Sequence, residues 1–247
     1  MTPHQHDVMR SVEDHYWWYH ALREHVSNSI VASGTSFSVL DAGCGTGGML
    51  AALRVKFPGA DLTGIDESAH ALELAASRNT GARLVPGSVH ELPFPEKTFD
   101  FVLSLDVWSH AGVDDGLAAH ESHRVLRPGG RLIVNLAAFE FLKGAHDCAV
   151  DVDRRYRRAE VRALLEGANF QIETLTYWNA VLTLPIALLR WSSRFGPPGE
   201  AKQSDFRQLP RLLNFGLKAV AALELRASRH LSLPFGTSVF AIAKKHG

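Results

Sequence analysis

The chain has 247 residues, of which 46% are hydrophobic and 21% are charged, and its formal net charge is zero. This composition is typical of a globular domain, and it offers no general electrostatic attraction to nucleic acid. Cys44 and Cys148 are too few for a disulfide framework, and no apolar stretch reaches the ~18 residues that would form an integral membrane segment. The polar N-terminus has no signal-peptide core, so we expect a cytoplasmic protein with His4 and His6 in a mobile terminus.

The first 137 residues predict a parallel sheet. After a helical segment at 11–32, apolar runs and turn residues predict strands at 37–41, 61–66, 82–86, 99–105 and 131–137, and helices at 47–56, 68–78 and 114–126. Alternating strands and helices favour a parallel sheet with helices on both faces. Residues 127–130 are expected to form the turn before the strand at 131–137.

The pattern changes after Phe139. A loop is expected at 139–157, then a helix at 159–167, a strand at 170–178, an apolar helical stretch at 180–231 and a last strand at 237–243. We therefore expect one domain that spans residues 1–247. Its parts are an N-terminal helical cap at 1–34, a core at 35–179, a helical insertion at 180–231 and a terminal strand at 232–247.

A glycine-rich turn between the strand at 37–41 and the next helix is the most informative segment. Glycines at 43, 45, 47 and 48 allow positive φ angles and let a ligand lie against bare backbone at a helix N-terminus. Gly43, Gly45 and Gly48 also match the dinucleotide pattern G-x-G-x-x-G. Asp41, which ends the strand, would repel a pyrophosphate but suits a ligand that carries an ammonium group and no phosphate.

This turn resembles the first motif, V-L-D-x-G-C-G-T-G, of the class I methyltransferases that use S-adenosyl-L-methionine (SAM). Further matches are L-P-F-P at 92–95, followed by Phe99-Asp100, and V-L-R-P-G-G at 125–130. The resemblance covers residues 15–245. It implies an enzyme with SAM as cofactor and a Rossmann-like α/β fold, with a seven-stranded, mostly parallel sheet whose last strand is antiparallel.

The resemblance also implies where the cofactor would lie. The turn contributes Asp41, Gly43, Cys44 and Gly45. Asp66, at the end of the strand at 61–66, would bind the ribose hydroxyls, with Glu67 on the adenine side; a helix N-cap is the alternative role for Asp66. Ser88 stands where the family usually has an acid that binds adenine, so the Ser88 hydroxyl or the Val89 N–H would take that place.

The methionine end of the cofactor has two candidate partners. The Leu105 carbonyl ends the strand at 99–105, at the expected topological switch point, and would hold the methionine ammonium. Trp17-Trp18-Tyr19 followed by Arg23 resembles a W-W-F/Y segment of a bacterial subgroup. An arginine fork suits the methionine carboxylate; the alternative is an arginine paired with Glu24 or Asp14.

Methyl transfer to a hydroxyl needs alignment and a base, and histidine is the usual base near neutral pH. His110 is the first candidate, because it follows Leu105 on a loop expected to overhang the reacting centre and matches the histidine of the family's D-V-L-E-H-V run. A structural role for His110 is the alternative. His146 and Asp147 form a second candidate acid–base pair, and no metal site is predicted.

Four residues are candidates for substrate binding: Trp18, Trp108, Arg155 and Tyr156. Arg155 and Tyr156 belong to an R-R-Y segment that resembles one in the same subgroup, although Asp153 stands where that subgroup often has a histidine. The insertion at 180–231 is interpreted as an apolar lid, a core element, a dimer face or an interfacial membrane contact.

We expect methyl transfer to an O atom, or second to an N atom, of a small or lipid-like metabolite, a natural product or a glycan precursor. The expected state is a monomer or homodimer with no nucleic-acid partner. Two alternatives stay open. One is a SAM-fold protein that does not methylate, such as a cyclase or regulatory subunit; the other is an NAD-dependent oxidoreductase, against which Asp41 argues.

Overall fold

The computed structural model describes residues 1–32, 34, 36–144, 147, 150–193, 209–228 and 232–246. The strands of this part are β1 (Ser38–Ala42), β2 (Asp61–Asp66), β3 (Arg83–Pro86), β4 (Phe99–Leu105), β5 (Leu126–Ala137), β6 (Phe170–Trp178) and β7 (Ser238–Lys245). The α-helices are α1 (Pro3–Val12), α2 (Trp17–Ser29), α3 (Gly48–Lys56), α4 (Ala69–Ala76), α5 (Asp115–Val125), α6 (Arg158–Gly167), α7 (Thr183–Ser193) and α8 (Arg211–Ala227). A short 3₁₀ helix lies at Glu140–Leu142.

These strands form one sheet in the order β3-β2-β1-β4-β5-β7-β6. Strands β1 to β5 pair in parallel, whereas β7 runs antiparallel to both β5 and β6. The predicted Rossmann-like, mostly parallel sheet with an antiparallel last strand is confirmed. Because β2 and β4 flank β1 on opposite sides, the connections diverge at the carboxyl ends of β1 and β4 and leave a crevice there.

Strand β5 begins earlier than the sequence predicts. Phe99 pairs with Leu126 and Phe101 pairs with Arg131, so residues 127–130 bulge out of the strand rather than precede it. Gly129 has a φ of +80°, which glycine adopts without a steric penalty. The expected turn is therefore an interruption within β5.

The N-terminus differs most from the prediction. The sequence predicts His4 and His6 in a mobile terminus, but Thr2 accepts a hydrogen bond from Gln5 N (3.3 Å) in a capping box that begins α1, and His6 is only 3% exposed. The predicted single helix at 11–32 is also wrong, since α1 ends at Val12 and α2 starts at Trp17. As a result, α1 packs against α4, and Met9 reaches the glycine turn that the sequence assigns to a ligand.

The core lies on both faces of the sheet. Trp17 and Val26 of α2 join Leu50 of α3 on one face, while Ala118 of α5 and Val161 of α6 belong to the cluster on the other. None of the helices in the described part of the chain is both long and apolar enough to cross a bilayer.

The described part of the insertion consists of α7 and α8. Helix α8 is tied to α2, because Asn214 accepts a hydrogen bond from Trp17 N (2.9 Å) and donates one to His15 O (2.8 Å). Glu224 is buried and accepts hydrogen bonds from Ala180 N (2.8 Å) and Val181 N (2.9 Å) at the entry to α7. The insertion is thus anchored on one side, whereas its outer apolar side chains, among them Leu184 and Leu212, are exposed.

Candidate cofactor-binding and active site

The glycine turn after β1 is shaped by positive φ angles and by contacts with β2. Gly43, Gly45 and Gly47 have φ values of +88°, +50° and +75°. Gly43 N and Cys44 N donate to the Ile65 carbonyl at 2.8 and 2.9 Å, and a Cβ at Gly43 would overlap the Val107 side chain. The segments that follow β1, β2 and β4 therefore meet at the glycines of the turn. Because glycine has no side chain, room for a ligand is left beside the turn.

Asp41 makes this turn acidic. The residue is only 2% exposed, and burial raises the pKa of its carboxyl to about 7, with the charges of Asp66 and Glu13 acting in the same direction. A carboxyl in such a place gains from a nearby cation and opposes an anion. The turn is suited to a positively charged ligand.

Asp66 lies beside the same turn and is not the cap of α4. Its two carboxylate oxygens accept hydrogen bonds from Gly45 N and Ser68 N, both at 2.9 Å, whereas the side chain of Ser68 caps α4 by accepting from Ala71 N (3.2 Å). Glu67 is exposed next to it. Ser68 rather than Asp66 is thus the N-cap of α4, so the alternative role for Asp66 is wrong. The ribose role of Asp66 stays a proposal.

The remaining predicted cofactor residues surround this position. Cys44 is buried beneath Gly64 of β2, and Ser88 accepts a hydrogen bond from His90 N (3.3 Å) after β3. Val89 packs against the core, and Leu105 pairs with Asn135 at the end of β4. They lie at the carboxyl edge of β1 to β4, as a ligand in the crevice would require.

A buried ion-pair network that the sequence did not reveal covers the start of α3. Glu13 is only 4% exposed; it pairs with Arg23 Nη2 (2.8 Å) and Arg78 Nη2 and accepts a hydrogen bond from the Thr46 hydroxyl. Arg78 Nε donates to Thr46 O (2.6 Å). Arg23 thus lies near the start of α3 with a carboxylate of the protein itself as its partner, and it also pairs with Asp14 (3.4 Å), as the alternative interpretation expected.

A second set of residues missed by sequence reasoning lies at the end of β4. Asp106 has a φ of +62°, and both of its carboxylate oxygens accept from Asn135 Nδ2, at 2.9 and 3.0 Å. Burial raises the pKa of Asp106 to about 7, although Asn135 and Arg155 oppose this. Trp178 Nε1 donates to Asn135 Oδ1 (2.7 Å), and Trp18 stacks on Trp178 with ring centroids 6.2 Å apart. The position of Asp106 at a strand end, like those of Asp41 and Asp66, was the available signal.

The candidate bases differ in their surroundings. His110 is half-buried, its Nδ1 lies 3.3 Å from the Asp151 carbonyl, and burial lowers its pKa, so the neutral ring is favoured. Asp147 is buried and accepts from Arg155 Nε (2.9 Å) and Nη2 (2.7 Å). His146 lies outside the described residues. The Asp147–Arg155 ion pair favours a structural role for both residues over acid–base or substrate contacts.

Trp108 and Tyr156 lie in the core. Both are nearly fully buried, and the Tyr156 hydroxyl is 2.8 Å from Trp108 O and 2.9 Å from Asp115 Oδ2. This geometry connects the loop after β4 to the segment before α6. It favours a role in holding that loop, and the predicted contact of these two residues with substrate stays a prediction.

The residues present fit SAM, which carries a sulfonium and an ammonium group beside a carboxylate and an adenosine. Asp41 has a buried carboxyl that a cation would help to ionise, Asp66 has carboxylate oxygens of the kind that bind ribose hydroxyls, and Arg23 has a guanidinium group of the kind that binds a carboxylate. The turn at Gly43 and Gly45 offers backbone rather than side chains. The carboxyl groups of Asp41 and Asp66 beside the turn oppose the pyrophosphate of a dinucleotide.

Comparison with known proteins gives the same result. The methyltransferase domain family matches residues 40–134. The chain is 35% identical over 198 residues to malonyl-[acyl-carrier protein] O-methyltransferase of Pseudescherichia vulneris, covering 78% of this chain and 68% of that protein. It is 30% identical over 173 residues to fatty-acid O-methyltransferase of Mycolicibacterium smegmatis, covering 66% of this chain and 61% of that protein.

Solved structures share the fold. A protein solved in complex with the Haloferax volcanii Trm112 methyltransferase activator has a TM-score of 0.64 and 19% identity, with 98% of each chain covered. The sheet order, the acid-flanked glycine turn and the relatives agree, and the chain belongs to the class I SAM-dependent methyltransferases.

Proposed function

We propose that this protein transfers a methyl group from SAM to an oxygen atom, or second to a nitrogen atom, of a small or lipid-like metabolite. Natural products and glycan precursors are within this class. The observation that carries the proposal is the glycine turn between Asp41 and Asp66, which suits a cationic nucleoside ligand. The two O-methyltransferase relatives support oxygen as the acceptor, and their acyl substrates support a lipid-like compound.

The chain's own residues would bind and orient both ligands. Asp66 and the turn would hold the nucleoside, while Leu105 O and Arg23 would hold the two ends of the methionine part. SAM, when bound, supplies a methyl group activated by a sulfonium. His110, whose neutral ring is favoured, would accept the proton of a hydroxyl acceptor.

The exposed apolar side chains of the insertion support a lipid-like substrate. Leu184 and Leu188 are 66% and 54% exposed on one side of α7, and an apolar cavity of about 410 Å³ lies along α8 near Leu223, beside Ala180 and Val181, which precede α7. An amphipathic substrate needs an apolar surface near a few polar groups. The insertion is therefore proposed to control access of the substrate.

The test is transfer of a deuterated methyl group from labelled SAM to compounds of a lipid extract and, separately, of an aqueous metabolite extract. We expect a product that carries the CD₃ mass increment with wild-type protein, and its loss with Asp66→Ala. If the methylated compound is a hydroxyl, His110→Ala should lower turnover by ~10²–10⁴-fold. Binding of SAM without any labelled product in either extract would instead favour a non-methylating role.

A further inference from the structure

Glu13 occupies a place that a carboxylate of the cofactor would also fit. Its carboxylate is held by Arg23, by Arg78 and by the Thr46 hydroxyl, and the side chain is only 5% exposed. A Cβ at Gly48 would overlap both Arg23 Nη2 and Glu13 Oε2. The network therefore approaches the backbone at the first residue of α3, where the partial positive charge of a helix N-terminus also favours an anion.

The partners of Glu13 belong to elements that already form the cofactor site. Thr46 lies in the glycine turn, Gly48 follows that turn, and Arg23 is the predicted partner of the methionine carboxylate. Arg78 reaches the same point after α4 and donates to Thr46 O at 2.6 Å. Two guanidinium groups, a hydroxyl and a helix N-terminus thus converge on one carboxylate.

We propose that Arg23, Arg78 and Thr46 form a binding site for the amino-acid carboxylate of SAM, and that Glu13 occupies this site until SAM replaces it. The inference rests on the proposed cofactor site and adds that the Glu13 carboxylate competes with the carboxylate of SAM for the same partners.

Replacement is favoured over simple addition because the positive charges are already compensated. Arg23 and Arg78 face Glu13, and the same two arginines also contact Asp14, at 3.4 and 3.0 Å. A third carboxylate beside these groups would meet like charge in a buried place. Glu13 lies directly after α1, so its release allows the carboxylate to turn towards water without unfolding a strand.

Helix α1 connects the replacement of Glu13 by SAM to the rest of the cofactor site. The Met9 methyl group would lie 3.0 Å from a Cβ at Gly45, and His6 Nδ1 is 3.5 Å from Ser68 Oγ, next to Asp66. Glu13 N donates to Met9 O at 2.9 Å at the end of the helix. Movement of Glu13 should therefore loosen the end of α1 that covers the glycine turn.

The test compares SAM with 5′-methylthioadenosine, which has the same adenosine but ends in a neutral methyl thioether and lacks the whole amino-acid part, including its carboxylate. Calorimetry should show that Glu13→Gln, which keeps the size and loses the charge, tightens SAM at least ~10-fold and leaves 5′-methylthioadenosine nearly unchanged. Asp14→Asn is the matched control: it touches the same arginines from a more exposed position, and SAM affinity should stay within about threefold.

A second variant tests Arg78 without interference from the competitor. In the Glu13→Gln background, Arg78→Gln should weaken SAM by ~10-fold or more and spare 5′-methylthioadenosine. In the wild-type protein, saturating SAM should speed hydrogen exchange at the Glu13 amide. The hydrogen-exchange measurement uses wild-type protein, so its result does not depend on whether a variant folds.

The outcomes separate this inference from the proposed cofactor. If neither nucleoside binds wild-type protein, the cofactor proposal fails. If both bind but Glu13→Gln changes them equally or not at all, and SAM leaves the exchange of the Glu13 amide unchanged, the replacement of Glu13 is refuted while the cofactor site stands.

Discussion

Asp41 should couple SAM binding to the release of a proton. The carboxyl is 2% exposed, and burial raises its pKa to about 7 in the ligand-free protein. A bound cation stabilises the ionised form, so the pKa of Asp41 should fall when SAM binds. A group of pKa ~7 that becomes fully ionised releases ~0.5 proton at pH 7 and ~0.9 proton at pH 6.

The same linkage sets the direction of the pH dependence. Because protons leave on binding, SAM affinity should rise with pH up to about 7 and then level off. If the pKa of Asp41 falls below ~5 when SAM is bound, the dissociation constant of SAM should be ~50-fold larger at pH 5 than at pH 7.

Calorimetry at pH 6 in two buffers with different ionisation enthalpies counts the protons directly. Asp41→Asn should remove the protons that Asp41 releases when SAM binds. Asp106→Asn is the control: the pKa of Asp106 is also raised to about 7, but its carboxylate is held by Asn135. The reasoning is refuted if wild-type protein releases no proton at pH 6, or if Asp41→Asn releases as many as wild type.

Four further outcomes are expected. The raised pKa of Asp41 means that its contribution to the unfolding free energy falls, by up to ~4 kcal/mol, as pH rises from about 4 to about 7; thermal melts should therefore show Asp41→Asn more stable than wild type at pH 8 but not at pH 4. Asp66→Ala should weaken SAM by ~1–3 kcal/mol in a titration while the fold survives, and an unchanged dissociation constant would remove Asp66 from the site. Asp147→Asn should destabilise the protein by ~3–5 kcal/mol in denaturant, because the buried Arg155 guanidinium would lose the negative charge that compensates it; full stability with lost turnover would restore the catalytic interpretation. Leu184→Glu should leave the melting temperature unchanged, since that side chain is 66% exposed, and should raise the Michaelis constant for an apolar substrate; a lower melting temperature or a split dimer would show a core or subunit contact.

Local patterns were sufficient for the sheet and the cofactor turn. Strands β2, β4 and β6 have the predicted bounds, because each is a short segment with apolar residues on at least one face and turn residues nearby. Two errors remain. The start of α1 was missed although Thr2 and Gln5 form a capping box, and residues 127–130 bulge within β5 because pairing with β4 continues on both sides. The role of Asp66 is predicted from its place at a strand end, which needs no knowledge of distant contacts.

The amino-acid sequence by itself determined the alternation of strands and helices and the acid-flanked glycine turn, and hence the family. Each of these features depends on patterns within about ten neighbouring residues. Only the tertiary structure decided which charges meet. Glu13 and Arg78 are far apart in the chain, as are Asp106, Asn135 and Trp178, and nothing in their local sequence marks them as partners. They come together because the parallel sheet brings the ends of its strands to one edge and α1 folds over that edge. Burial there then sets the pKa of Asp41 and the pairing of Arg23, neither of which a residue type alone can specify.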